Sequence, residues 1–214
     1  MTRTGRPRSA EADLAILDAT RSALVELGWG KLTMGDVATR AGVAKTTLYR
    51  RWANKNELVV DAVAALFDEL QLPDRGSLLA DVEGVVMEFA ELLERPEAKT
   101  ALMAVIAEST HDDALRVRIR EAIVDRQKRL VVLGRQRAQA RGELPPDVPP
   151  DGCAGDPLAE QAAARNADLI FDVIAGAVVH RILVSGERID FAWARMFSAL
   201  LVGGLPAAMA VAAR

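Results

Sequence analysis

The chain has 214 residues, half of them apolar and only 4% aromatic, with a formal net charge of −3 at pH 7. That length suits one large domain or two modest ones with a real core, and an apolar content carried by Ala, Leu and Val suits helices more than sheets. A single cysteine, Cys153, excludes an internal disulfide and fits a reducing compartment.

The charge is unevenly spread. Residues 1–55 carry ten Lys or Arg against five Asp or Glu, so a head of about +5 precedes a body of about −8. A basic head on an acidic body is expected to meet a polyanion through the head. The opening residues MTRTGRPRSAEAD are charged and lack an apolar run, which reads as no signal peptide. Within them RTGRPRS, with Arg6 and Arg8, resembles an AT-hook that enters the minor groove of A·T-rich DNA. It reads equally as a basic tail giving nonspecific attraction.

Ser9 is placed as the N-cap of a first helix with Glu11 in its first turn, and Ile16, Ala19, Ala23 and Leu27 recur at helical spacing until Gly28 ends the run. Thr33 and Asp36 have capping-box spacing and start a second helix that runs to about Arg40 and stops at Gly42. A short third helix is expected over about Ala44 to Arg50. Asn54 and Glu57 repeat the capping arrangement and open a fourth, from Lys55 to about Leu70. Further helical patterns lie near 77–94, 97–109, 113–141, 160–185 and 190–212, and residues 141–157, rich in Pro and Gly, read as a loop. The expectation is an all-α chain of about nine helices.

Residues 34–50 have the pattern of a helix-turn-helix. Val37, Val43 and Leu48 are inward apolar positions, Ala38 is small where the second helix must cross closely, and Gly42 suits a turn with positive φ. Subtracting these leaves Lys45, Thr46, Thr47, Tyr49 and Arg50 on or near the outer face of the third helix. Side chains of this kind read base edges and grip phosphates.

The segment AILDATRSALVELGWGKLTMGDVATRAGVAKTTLYRRWANKNELVVDAV resembles the DNA-binding domain of the TetR/AcrR family of bacterial transcriptional regulators. The G-W-x-x-x-T lead, the A-x-x-A-G-V turn, T-L-Y in the third helix and N-K-x-E-L at the start of the fourth carry the likeness. The resemblance implies that Thr33 caps the second helix and touches a phosphate, and that Lys45, Thr46 and Thr47 read bases. It also implies phosphate contacts from Tyr49 and from Lys55 at a helix N-terminus. Many members follow that Tyr with an aromatic and then His-Phe. Here Arg50-Arg51-Trp52 stand instead, so Trp52 is expected in the apolar slot and Arg50 is expected to add a base or phosphate contact.

The division implied is a DNA-binding domain over 1–55 and a helical effector-binding and dimerisation domain over 56–214. Beyond residue 70 the likeness thins, but Arg141–Pro145 (RGELP) and Arg181–Glu187 (RILVSGE) resemble one subgroup. A half-site reader gains affinity and symmetry by dimerising, and the last two helices suit a homodimer interface through Ala175, Val178, Ile182, Phe197, Leu200 and Leu201. These residues read alternatively as core within one chain. Met87, Phe89, Met103, Phe171 and His180 are candidate lining of a pocket for a small-molecule effector.

The uncharged stretch from Met196 to Ala213 approaches transmembrane length but holds Ser198, Gly203, Gly204 and Pro206. A helix buried in a protein interface, with no membrane partner, is the reading taken. Glu108 and His111 have a metal-site spacing without a second copy, so that segment reads as a capping loop. Neither a P-loop nor a dinucleotide fingerprint nor paired-Cys spacing occurs, and no cofactor or catalytic residue is expected. The expectation is a cytoplasmic, nucleoid-associated bacterial repressor that an effector releases from a palindromic double-stranded DNA operator. The alternatives are a regulator without an inducer, an activator or, from another class, a helical enzyme or carrier.

Overall fold

A computed structural model describes residues 7–146 and 157–212. Among the described residues every regular element is helical. They are α1 Pro7–Lys31, α2 Met34–Arg40, α3 Lys45–Tyr49, α4 Lys55–Phe67, α5 Leu78–Glu94, α6 Pro96–Ser109, α7 Asp113–Ile119, α8 Asp125–Ala140, α9 Pro157–Val179 and α10 Phe191–Ala212. Single π turns, Arg120–Val124 and His180–Val184, follow α7 and α9. The 113–141 pattern is therefore two helices run together through a π turn, and the 160–185 pattern ends in one. Arg6, Cys153 and most of the Pro/Gly loop lie outside the described residues, and of Arg8 only the backbone, in α1, is described.

The expected Ser9 cap is corrected. α1 begins at Pro7, so Ser9 sits inside its first turn. Proline has no N–H to leave unpaired and its fixed φ suits a first helical position, which lets the helix start three residues earlier. Gly28, at φ 71 and ψ 167, does break α1, and Leu32 N then donates to Gly28 O at 3.1 Å. Asp112, from the segment weighed as a metal site, caps α7 by accepting from Leu115 N at 3.0 Å, while Glu108 and His111 are both exposed.

Packing divides the chain into two compact units, Met1–Glu69 with Glu94–Arg126, and Leu70–Leu93 with Gln127–Arg214. In the first, α1 packs on α2, α4 and α6, while α4 packs on α6, α7 and the first π turn. Its core holds Ile16, Leu24, Val37, Leu48, Val59, Val60, Val63 and Val105, all fully buried. Each contributes about 1.5–3 kcal/mol by leaving water.

In the second unit the RGELP residues form an ionic node. Arg141 reaches Asp74 at 2.8 Å, the buried Asp81 at 2.9 Å and Glu143 at 3.3 Å. Asp81 also accepts from Arg75 N at 2.7 Å, and Glu143 from Leu78 N at 2.7 Å. These carboxylates, Asp81 first, hold the Arg141 guanidinium above its usual range, so the buried acid keeps a committed partner. The RILVSGE residues do a comparable local task. Arg181 pairs with Glu187 at 2.8 Å, donates to Arg188 O at 3.0 Å and lies 5.1 Å over the Trp193 ring, closing the α9–α10 turn.

Candidate nucleic-acid interface

The interface candidate is built on two caps and one turn. Thr33 Oγ1 accepts from Asp36 N at 3.2 Å while Asp36 accepts from Thr33 N at 2.9 Å, so the capping box that starts α2 is complete. Thr33 Oγ1 also donates to Asp36 at 2.6 Å. Both donors of Thr33 are therefore committed to Asp36. At the other end of α2, Gly42 takes φ 67, and its N–H and that of Val43 close on Thr39 O and Ala38 O at 3.2 and 3.0 Å. This is the Schellman arrangement, and a left-handed residue without Cβ makes it cheap. It aims the chain into α3, which is held down by Leu48 at 0% exposure.

Asn54 accepts from Glu57 N at 2.9 Å and Glu57 accepts from Ala53 N at 2.9 Å, which starts α4 at Lys55 as the sequence suggests. Trp52 fills the apolar slot between α3 and α4 at 6% exposure.

With α3 anchored on one side, Lys45, Thr46, Tyr49 and Arg50 are exposed and Thr47 is half-buried. The positive charge of the head sorts into two sets. Arg40 makes a two-pronged pair with Glu26, one contact at 2.8 Å, and Arg51 pairs with Asp13. Arg21 donates to Ala62 O at 3.0 Å and pairs with Asp18. These three tie α1 to α2, to α4 and to the segment that follows α3, so only part of the charge counted along the sequence faces outward with α3. That commitment is the functional detail periodicity could not supply.

Lys55 lies half-buried at the start of α4. Its ammonium donates to Trp29 O at 2.8 Å and sits 4.9 Å from the Trp29 ring centroid. An ammonium has three donors, so others remain for an anion. Lys45 lies across the first turn of α2, where a Cβ on Gly35 would come within 2.8 Å of its Cε and Nζ.

Hydrogen bonds from Thr33 hold the Asp36 carboxyl below its ordinary value of 3.8, with smaller contributions from Lys45 and Arg40. The sign follows directly. Stability from the capping box is present above that ordinary value and is lost as pH falls through the lower folded-state value. The stability difference between the parent and Asp36→Ala should therefore shrink in chemical denaturation as pH drops below about 4.

The other sequence candidates scatter. Phe89 is buried and Met87 half-buried on α5, Phe171 is half-buried on α9, and His180 is exposed in the π turn that follows. Met103 is 43% exposed on α6, in the first unit. Clefts of about 530 and 390 Å³ lie in the first unit, lined by other residues that include Arg21, Glu26 and Arg95 in one and Asp61, Arg118 and Arg126 in the other.

Along α9 with its π turn and along α10, exposed and mostly apolar residues form two stripes, Leu169, Val173, Gly176, His180 and Val184, then Met196, Leu200, Gly203 and Ala207, with Phe191 exposed outside them. Leu200 is 77% and Met196 68% exposed, whereas Val178 and Ile182 are already buried within one chain. Ala175, Phe197 and Leu201 are half-buried beside the stripes.

Comparison with known proteins decides the family. Residues 16–62 match the family described as "Bacterial regulatory proteins, tetR family", and residues 72–155 match "Tetracyclin repressor-like, C-terminal domain". The DNA-binding transcriptional repressor TetR of Mycobacteroides abscessus is 30% identical over 196 residues, covering 89% of this chain and 90% of that protein.

The chain belongs to the TetR family.

It is a TetR-family transcriptional regulator, of the all-helical architecture the family shares. Its relatives include the HTH-type transcriptional regulator YdeS of Bacillus subtilis, 27% identical over 195 residues that cover 91% of this chain and 89% of that one. The crystal structure of the TetR family transcription regulator SCO0332 superposes with a TM-score of 0.68 at 28% identity, covering 91% of this chain and 98% of that one. FadR from Bacillus subtilis, in complex with stearoyl-CoA, shares the fold with a TM-score of 0.64 at 18% identity, over 89% and 98% of the two chains. TetR-family regulators bind DNA and act as dimers.

Proposed function

We propose that this TetR-family regulator is a homodimeric repressor whose head, residues 1–55, reads a palindromic operator and whose remainder, 56–214, dimerises and binds a small-molecule effector. The observation that carries the reading is α3 itself. It is a five-residue helix pinned by Leu48, with Lys45, Thr46, Tyr49 and Arg50 exposed on one side. In such heads the N-terminal residues of the recognition helix meet base edges while flanking groups hold phosphates. Lys45 with Thr46 and Thr47 is assigned to bases, and Tyr49, Arg50 and Lys55 to the backbone or its edge; Thr33 joins them by turning its hydroxyl from Asp36 to a phosphate, with Arg6 in the arm and Arg8 in the first turn of α1.

The stripes on α9 and α10 are the dimer surface, with Leu200, Phe197, Leu201 and Ala175 at or beside the contact. Uncovered apolar residues at 4-3-4 spacing on two packed helices form half of a four-helix interface. α10 is long and apolar enough to cross a membrane, but one of its faces is already occupied by the buried Ala194, Ser198 and Leu205. A second copy of the chain is the cover proposed for the other face.

Effector binding is supported by the fold, which in FadR holds stearoyl-CoA, and Met87, Phe89 and Phe171 of the second unit are the lining proposed for it. An effector shifts the dimer only by the difference in its affinity for the DNA-fitting and DNA-releasing states. The protein is read as a cytoplasmic, nucleoid-associated regulator and not as an enzyme.

A gel-shift assay against the DNA flanking its own coding region, at low salt, tests the reading. A retarded, competitor-resistant complex is expected, and persistent absence of any bound sequence would leave the head a structural element only. Lys55→Ala is expected to lower the stability of the first unit by about 1 kcal/mol through loss of its Trp29 contacts. It is also expected to weaken all DNA sequences alike and flatten the salt dependence by about one phosphate. Thermal melts and gel shifts at several salt concentrations separate the two effects, and an unchanged salt slope would make the ammonium a clamp alone.

A further inference from the structure

Trp52 lies three residues past the end of α3, and its backbone N–H donates to Leu48 O at 2.9 Å. Its ring is buried, and a buried indole N–H needs an acceptor. Asp61, in the second turn of α4, supplies it, with Oδ2 at 2.9 Å from Trp52 Nε1. The other oxygen of the same carboxylate accepts from Arg118 Nη2, on α7, at 2.6 Å. One acidic side chain therefore ties together the segment that closes α3, the helix that follows it, and the helix that leads into the first π turn. All of these lie in the first unit.

A helix of five residues has almost no stability of its own, so its orientation is set by what grips its side chains and its exit. Leu48 fixes its depth in the core. The indole of Trp52, rigid and bonded through both its backbone and its ring, is the grip at its exit. We propose that Asp61 is a positioning residue for DNA specificity. It touches no DNA, but by holding Trp52 with one oxygen and Arg118 with the other it fixes the angle at which α3 presents Lys45 to Arg50. The proposal rests on the reading of α3 as the base-reading helix.

Charge makes the prediction distinctive. Removing an acid near a polyanion strengthens binding to every sequence if only electrostatics is at work. Loss of a positioning contact acts the opposite way on the operator and leaves random duplex behind.

The test is a double-mutant cycle of Trp52→Phe and Asp61→Ala in the full-length chain, with affinities for operator and random duplex measured at one salt concentration. Asp61→Ala is expected to lower the operator-to-random ratio about tenfold, as stranding a buried donor implies. Trp52→Phe keeps an apolar ring without the donor and is expected to lower the ratio to a similar degree. In the Trp52→Phe background Asp61→Ala should then change the ratio by less than about threefold, because the two residues act as one unit. Asp61→Asn keeps an acceptor for the indole but loses the one for Arg118, so its ratio should fall between the parent and Asp61→Ala.

The indole N–H resonance of Trp52, assigned by its loss in Trp52→Phe, should exchange with solvent faster in Asp61→Ala and not in Asp61→Asn. An unchanged ratio in Trp52→Phe, or an equal effect of Asp61→Ala in both backgrounds, overturns the proposal. A parent chain with no sequence preference would sink the DNA reading and the specificity role with it. That case is told apart because protection of the indole by Asp61 would persist.

Discussion

Leu200→Glu is expected to leave the chain helical but monomeric, and to lower operator affinity by about 10²- to 10⁴-fold. That range is the gain a two-site reader draws from linking its halves. Leu200 is the most exposed large apolar residue described, and it sits between Met196 and Gly203 on the α10 stripe. In a two-fold interface the same patch meets itself, so one substitution sets two carboxylates into an apolar seam and denies them water. A single chain loses little, because the side chain is not part of its core. Sedimentation at micromolar concentration, with and without DNA, reads the first effect, and gel shift reads the second. A Leu200→Glu protein that remains dimeric would place the interface elsewhere on the molecule.

Lys45→Ala should cost about 1–3 kcal/mol at one base pair of each half-site, the usual value of a specific side-chain contact. The free protein shows how Lys45 is kept before DNA arrives. Its side chain lies over Gly35 in the first turn of α2, near the carboxyl of Asp36. On DNA it is expected to exchange that contact for a base edge. The check is a series of operators each changed at one position, titrated with parent and mutant. Preference should flatten at one position per half-site and persist at the others. A uniform loss across all sequences, with a salt slope smaller by about one, would make Lys45 a phosphate contact.

What could be read in advance was whatever depends on residues close together in the chain. The Thr33–Asp36 and Asn54–Glu57 caps and the Gly42 turn are three- to six-residue signals with one dominant geometry, and the structure has each of them. The limits of α5, α6 and α10 also lie within a residue or two of the expected ranges. Two local readings failed for local reasons. Pro7 outcompeted Ser9 for the start of α1, and the π turns at Arg120 and His180 share the apolar spacing of the helices they end.

Long-range pairing was not legible. Arg51 and Asp13 stand 38 positions apart, Asp61 and Arg118 57, and Arg141 and Asp74 67, and nothing in either segment announces the other. As a result Arg21, Arg40 and Arg51 count toward the head's net charge in the sequence, and only the structure shows that they are clamps. The interface residues read from the sequence include Val178 and Ile182, which the structure buries within one chain. α9 and α10 are apolar on more than one face, and only packing tells Val178, which is buried, from Val173, which is exposed.

Hydroxyl-radical footprinting of the protein on DNA from the region flanking its coding sequence would measure the central claim most directly. Two equivalent protected patches are expected, related by a two-fold axis, with centres about 34 Å or one helical turn apart. A single unsymmetrical patch, or no sequence-specific protection at low salt, would contradict the account of α3 as a paired reader of the major groove.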